Sequence, residues 1–230
     1  MPNDLDPKYY FEDNQDAAQQ LIQTLPIALL SENETVVIGV SESGVYFADQ
    51  IAKAVDARMD ILLTEPIMAP NNSELPIAMV SETEEVVIHK VLIDAFEINE
   101  DYIYNEAHRK YEEDVLKYIY KYRKGRELSA LKDKYVVLVD SCVETGLTMM
   151  VALKSVIEEG AKNVYIATPL LDKSVYNNLL SVCDGLFCPH KISDYISIEY
   201  YYGVFTDPTF DEVRETIVSQ EQRLKAKTEN

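Results

Sequence analysis

Tyr135-Val136-Val137-Leu138-Val139-Asp140-Ser141-Cys142-Val143-Glu144-Thr145-Gly146-Leu147-Thr148 is the stretch that decides the fold. Residues 135–139 form an unbroken apolar run, as expected of a strand buried on both faces. The run ends in an acid and passes through a Thr-Gly-Leu-Thr turn. An amphipathic run then leads to Gly160, which reads as the C-cap of a helix over 147–159. Strand, turn and helix in this order are the unit of a parallel α/β sheet, whose ligands sit beyond the strands' carboxyl ends. Successive amide N–H groups and two hydroxyls at a helix start form a monophosphate cradle, here Thr145, Gly146, Leu147 and Thr148. Asp140 can accept sugar hydroxyls or hold Mg²⁺ through a bound water. Glu144, at the mouth of the loop, can act as a base or stabilise a cation.

The same pattern recurs along the chain. Helices are predicted over 14–24, 44–55, 99–122, 173–181 and 211–224. Strands are predicted over 35–40, 59–63, 163–168 and 184–188. The Pro/Asn-rich stretch EPIMAPNNSELP reads as a loop, followed by a hairpin of IAMVS and EVVIHK. Buried runs alternating with helices give a mostly parallel, doubly wound α/β sheet. No internal repeat or low-complexity linker divides residues 1–230, which read as one domain. A second strand-to-helix junction, Gly39-Val40-Ser41-Glu42-Ser43-Gly44, matches the build of the first.

Charge narrows the partners. The chain has 230 residues, 21 Lys and Arg against 40 Asp and Glu, and a net charge of -19. Sequence-independent nucleic-acid binding rests on cationic contacts to phosphates, so it is disfavoured. Anionic membrane surfaces repel such a chain, and no apolar run approaches the ~20 residues of a spanning helix. Three cysteines and the absence of a readable signal peptide give a cytoplasmic expectation. The exception to the acidity is 109–134, with nine basic and five acidic residues.

An acid, two residues, an acid and then Thr-Gly-x-Thr after a strand resembles the phosphoribosyl pyrophosphate signature of type I phosphoribosyltransferases. Further stretches extend the resemblance to a bacterial group of that family over nearly the whole chain. They are Phe11-Glu12-Asp13, Pro70-Asn71 with Glu74, Tyr122-Arg123-x-Gly125, and Tyr202-x-x-Phe205. The resemblance implies the family's sheet with a small hood, built from about 1–30 and 189–230, and a homodimer. It implies phosphoribosyl transfer from phosphoribosyl pyrophosphate to a nucleobase-like acceptor through an oxocarbenium-like transition state, with Mg²⁺ bridging pyrophosphate and ribose. A catalytically impaired nucleotide-binding or interaction protein is the alternative.

Three positions depart from the family pattern. Ser141 stands where a second acid is usual. In the pyrophosphate loop, Ser41 to Gly44, Glu42 takes the place of a basic residue and Ser43 that of a glycine. A carboxylate facing pyrophosphate repels it by about 1–4 kcal/mol at ~4 Å. The family pattern places a cis peptide between Ser41 and Glu42. It also makes the segment before the signature strand mobile, so that Arg123 and Arg126 reach the phosphates; the plain alternative is a solvated helix face. Tyr104, Tyr111, Tyr118 and Tyr122 fall near helical spacing and pack against the core. Cys183, Cys188 and His190 lack usual zinc spacing and read as structural. Cys142 reads as a small filler or, near a helix start, as a thiol of lowered pKa. Among Tyr200, Tyr201 and Tyr202, one either stacks on a base or packs in the hood.

Overall fold

The computed structural model describes residues 9–228. In chain order the elements are α1 (Asn14–Thr24), α2 (Ile27–Ser31), β1 (Thr35–Gly39), α3 (Glu42–Ala54) and β2 (Arg58–Ile61). Next come β3 (Thr64–Ala69), β4 (Asn72–Ser81), β5 (Val86–Ile88), α4 (Lys90–Ala95) and α5 (Glu100–Lys110). A π-helical turn, Tyr111–Val115, joins α5 to α6 (Leu116–Arg123). There follow β6 (Tyr135–Val139), α7 (Leu147–Glu158), β7 (Asn163–Ala167), β8 (Leu170–Asp172) and α8 (Lys173–Leu180). The remainder is β9 (Gly185–Phe187), β10 (His190–Ile192), a 3-10 turn at Ile198–Tyr201, and α9 (Phe210–Thr228).

Strands β2, β1, β6, β7 and β9 form, in that spatial order, a sheet paired in parallel throughout. Alternate residues of the central strands serve opposite cores. Val37, Val137, Val139 and Ala167 pack with α1, α3 and α9 residues, while Val36, Ile38, Val136, Leu138 and Ile166 pack with those of α7 and α8. From β1 the chain crosses to β2 on one side; from β6 it crosses to β7 and β9 on the other. The adjacent carboxyl ends of β1 and β6 are therefore the switch point at which open α/β sheets bind ligands.

The stretch read as a loop, EPIMAPNNSELP, is instead β3, a tight turn and the first half of β4. With β5 it makes a separate antiparallel sheet. Its prolines are tolerated because Pro66 lies on the edge strand and Pro76 beside a register shift. This sheet and α4–α5 share their own core of Ile67, Ile77, Val80, Ile93 and Ile103. The predicted long helix is present but broken in register by the π turn. Gly125 and Gly160 both take positive φ just beyond helix ends, +82° and +80°, as expected of C-caps.

The two pieces expected to form a hood meet each other. Tyr10 and Phe11 amides donate to the Tyr201 carbonyl, and Gly203 N–H donates to that of Phe11. The Tyr10 ring stacks on His190 at 4.4 Å. Residues 1–8 of the first piece lie outside the described residues. Tyr201 and Tyr202 are buried and Tyr200 is exposed.

Candidate active site

Gly44 brings the two junctions together. A Cβ there would lie 2.6 Å from the Val139 carbonyl oxygen and 3.1 Å from the Asp140 Cα. Only glycine lets the amino end of α3 rest on the end of β6. Gly146 takes φ +77° as the residue before α7, a conformation that favours glycine.

The amino ends of α3 and α7 differ in one respect that governs their chemistry. No side chain caps α7. Its nearest hydroxyl, Thr145 Oγ1, accepts from Leu147 N–H only at 3.5 Å. These first-turn amides border a cavity of about 210 Å³ that Asp140, Glu144, Thr145, Gly146 and Thr148 also line. An open helix start of this kind attracts an anion. By contrast, α3 is closed by its own Ser41, whose Oγ accepts from Gly44 N–H at 2.9 Å.

Ser41 also donates to Asp140 Oδ1 at 2.5 Å, and Ser141 N–H donates to the same oxygen at 2.8 Å. Ser43 Oγ lies 3.2 Å from Ser41 Oγ and 2.8 Å from Ser141 Oγ. With the carboxylate as terminal acceptor, the hydroxyls form a chain that runs Ser141 to Ser43 to Ser41 to Asp140. Asp140 is nearly fully buried, and burial pushes its carboxyl up to about 6, against the Ser41 and Ser141 hydrogen bonds. Glu42 accepts a short hydrogen bond from the Tyr122 hydroxyl of α6. Burial first, and then this carboxylate, raise the Tyr122 phenol.

Several expectations are corrected here. No cis peptide occurs among the described residues. Ser41 is extended and caps a helix that starts directly at Glu42, so no longer loop needs to reverse. Neither arginine reaches the cradle. The Arg123 guanidinium is buried and pairs with Glu82, the residue after β4, whose carboxyl is raised by burial against the pull of Arg123. Arg126 pairs with Asp60 Oδ2 at 2.9 Å and Glu221 at 3.1 Å. Burial opposes the charge of Asp60, yet Arg126, Ser129 and Arg123 hold its carboxyl below the usual range. Arg123 and Arg126 thus tie the end of α6 and the residues after it to Glu82 and Asp60, while Arg109, Lys117, Lys121, Lys124 and Lys132 of the same segment are exposed. The sequence signal for this was the acid at 60, the last-but-one residue of a buried strand.

Of the tyrosines, Tyr122 is buried, Tyr111 and Tyr118 pack on the core, and Tyr104 is exposed. Burial pushes the Cys142 thiol up to about 12, so it is a filler and not an activated nucleophile. The Cys188 thiol donates to the His190 carbonyl at 3.1 Å. No group of three metal-ligating side chains occurs among the described residues. A larger, mostly apolar cavity of about 500 Å³ lies between the β3–β4 turn and α4–α5, and holds none of the signature residues.

Sequence comparison places this parallel sheet with its switch-point site among phosphoribosyltransferase-type proteins. Residues 7–202 match the family model described as the phosphoribosyl transferase domain; the chain belongs to this family. It is similar to the Mycobacterium tuberculosis protein named "Putative phosphoribosyl transferase Rv0571c", 26% identical over 203 residues, and equally to its counterpart MT0597 in another strain. The match covers 88% of this chain and 45% of those relatives, so the chain spans about half the length of the curated relatives it matches. Among solved structures it is similar to the protein TT1426 from Thermus thermophilus. The TM-score is 0.75 at 29% identity, covering 91% of this chain and 98% of that one. No described helix is long and apolar enough to cross a membrane.

Proposed function

We propose that the chain binds a 5-phosphorylated ribose at the carboxyl ends of β1 and β6. The observation that carries this is the uncapped start of α7 opening into the same cavity as Asp140 and Glu144. The phosphate would be held by the first-turn amides with the Thr145 and Thr148 hydroxyls. Asp140 has one oxygen taken by Ser41 and Ser141, which leaves Oδ2 to accept from a ribose hydroxyl. Glu144, at the mouth, stabilises positive charge that develops at the ribose C1.

One reading of such a site is phosphoribosyl transfer to a nucleobase-like acceptor, in which the C1–N bond forms as diphosphate leaves C1. A second reading, nucleotide binding without transfer, is favoured by Glu42 and by the serine chain. The Mg²⁺ that the resemblance implies does not fit the donor set. Position 141 offers a hydroxyl already bonded to Ser43, and Asp140 Oδ1 already accepts two hydrogen bonds.

Calorimetry with ribose 5-phosphate and with nucleoside 5'-monophosphates tests the phosphate site. Binding that is lost in Thr145→Val with Thr148→Val supports it, and no binding of any of these ligands sinks it. Pyrophosphate release from phosphoribosyl pyrophosphate across a panel of bases separates transfer from binding alone.

A further inference from the structure

We infer that this site takes a sugar carrying a single phosphate, without a divalent cation, and does not accommodate a diphosphate at C1. The inference rests on the 5-phosphate reading above. It concerns the other half of the site, where three independent features agree.

The first is the closed helix start. A diphosphate at the β1–α3 junction would need free amides there, and the Gly44 amide is already taken by Ser41 Oγ. The second is the serine chain. Ser43 and Ser141 are two of the three departures from the family pattern, and they bond to each other at 2.8 Å. A hydroxyl pair thus joins the two loops directly, where a bridging cation would otherwise link them through a ligand. The chain ends on Asp140, so all three hydroxyls are engaged within the protein.

The third is charge. A cavity of about 260 Å³ opens on this side and shares Thr148 with the phosphate cradle. Its lining contains Glu42 and Glu65 and no lysine or arginine. Lys110 reaches Glu65 at 3.4 Å but is itself held by Asp114 at 2.8 Å. The arginines that could have compensated are committed to Glu82 and to Asp60 with Glu221. A diphosphate would enter against two carboxylates with no cation opposite.

The test is calorimetric titration of the full chain with ribose 5-phosphate and with 5-phosphoribosyl 1-diphosphate, each in EDTA and in excess MgCl₂. The expected result is ribose 5-phosphate affinity that changes less than about twofold with Mg²⁺, and diphosphate affinity no better than that of the monophosphate. Diphosphate binding tightened about tenfold or more by Mg²⁺ overturns the inference and leaves the phosphate cradle standing. Failure of both ligands to bind overturns the cradle reading and this inference with it. A triple variant, Glu42→Arg with Ser43→Gly and Ser141→Asp, is expected to acquire Mg²⁺-dependent diphosphate binding. Ser43→Ala, which breaks the chain alone, is a milder variant. It is expected to keep monophosphate binding, and Mg²⁺ dependence already present in the unaltered chain counts against the inference whichever variant folds.

Discussion

Asp140→Asn separates what the site does for a ligand from what it costs the fold. The carboxyl is 8% exposed, and burial lifts it from 3.8 to about 6. Two hydrogen bonds lower it but do not offset burial. A carboxyl with a folded-state pKa above its unfolded value holds its proton more tightly in the folded protein. Stability from this group is therefore greatest below about pH 3.8, declines as pH rises toward 6, and stays reduced above that. At about 1.4 kcal/mol per pH unit the window amounts to roughly 3 kcal/mol. Asparagine is neutral at every pH, and its amide oxygen can accept from the same Ser41 hydroxyl and Ser141 amide. The variant is expected to exceed the parent by up to about 3 kcal/mol at pH 8, several degrees in Tm for a chain of this size. The advantage should shrink toward zero at pH 4. Urea denaturation followed by circular dichroism at pH 4, 5, 6 and 8 measures it, and the difference between the two proteins cancels the other titrating groups. An equal difference at pH 4 and pH 8, or a variant less stable at pH 8, refutes the reasoning. Ribose 5-phosphate binding should meanwhile weaken, because Asn presents an amide N–H₂ where the carboxylate accepted.

Gly44→Ala pushes a Cβ against the Val139 carbonyl at 2.6 Å; a loss of about 1–3 kcal/mol in chemical denaturation is expected, with weaker ligand binding as β1 and β6 separate. Gly146→Ala has room for its Cβ but must hold φ +77°. It should lose about 1–2 kcal/mol in the same assay, with reduced phosphate affinity by calorimetry. Arg123→Met leaves Glu82 buried without its partner and should cost about 3–5 kcal/mol. Adding Glu82→Gln, which keeps an acceptor for the Leu63 amide, should recover most of that loss, and no recovery would show that the ion pair is not what holds α6 in place.

Local patterns carried much of this structure. The short apolar, β-branched-rich runs at 35–39, 135–139 and 163–167 favour strands, and each ends where a turn or helix signal begins. The region 64–76 was illegible for a local reason too: three prolines and two asparagines outweigh an alternation that only a strand partner can reveal. The signature loop lay open to reading because its candidate phosphate-binding groups are backbone amides and hydroxyls within four residues. Glu42, Ser43 and Ser141 could be recognised as departures, but not as parts of one arrangement.

The sequence by itself determined the parallel sheet and the strand-to-helix turn at Thr145–Thr148 with the acids beside it, because strand burial, helix starts and glycine turns are set by neighbours in the chain. Only the tertiary structure decided how the other half of the site is filled. Ser43 and Ser141 are 98 positions apart and meet because β1 lies beside β6. Arg123 and Glu82, 41 positions apart, meet because the end of α6 lies beside the residue that follows β4. Hydroxyls and guanidinium groups take whichever partner the packing supplies, and a string of residues does not say which partner that is.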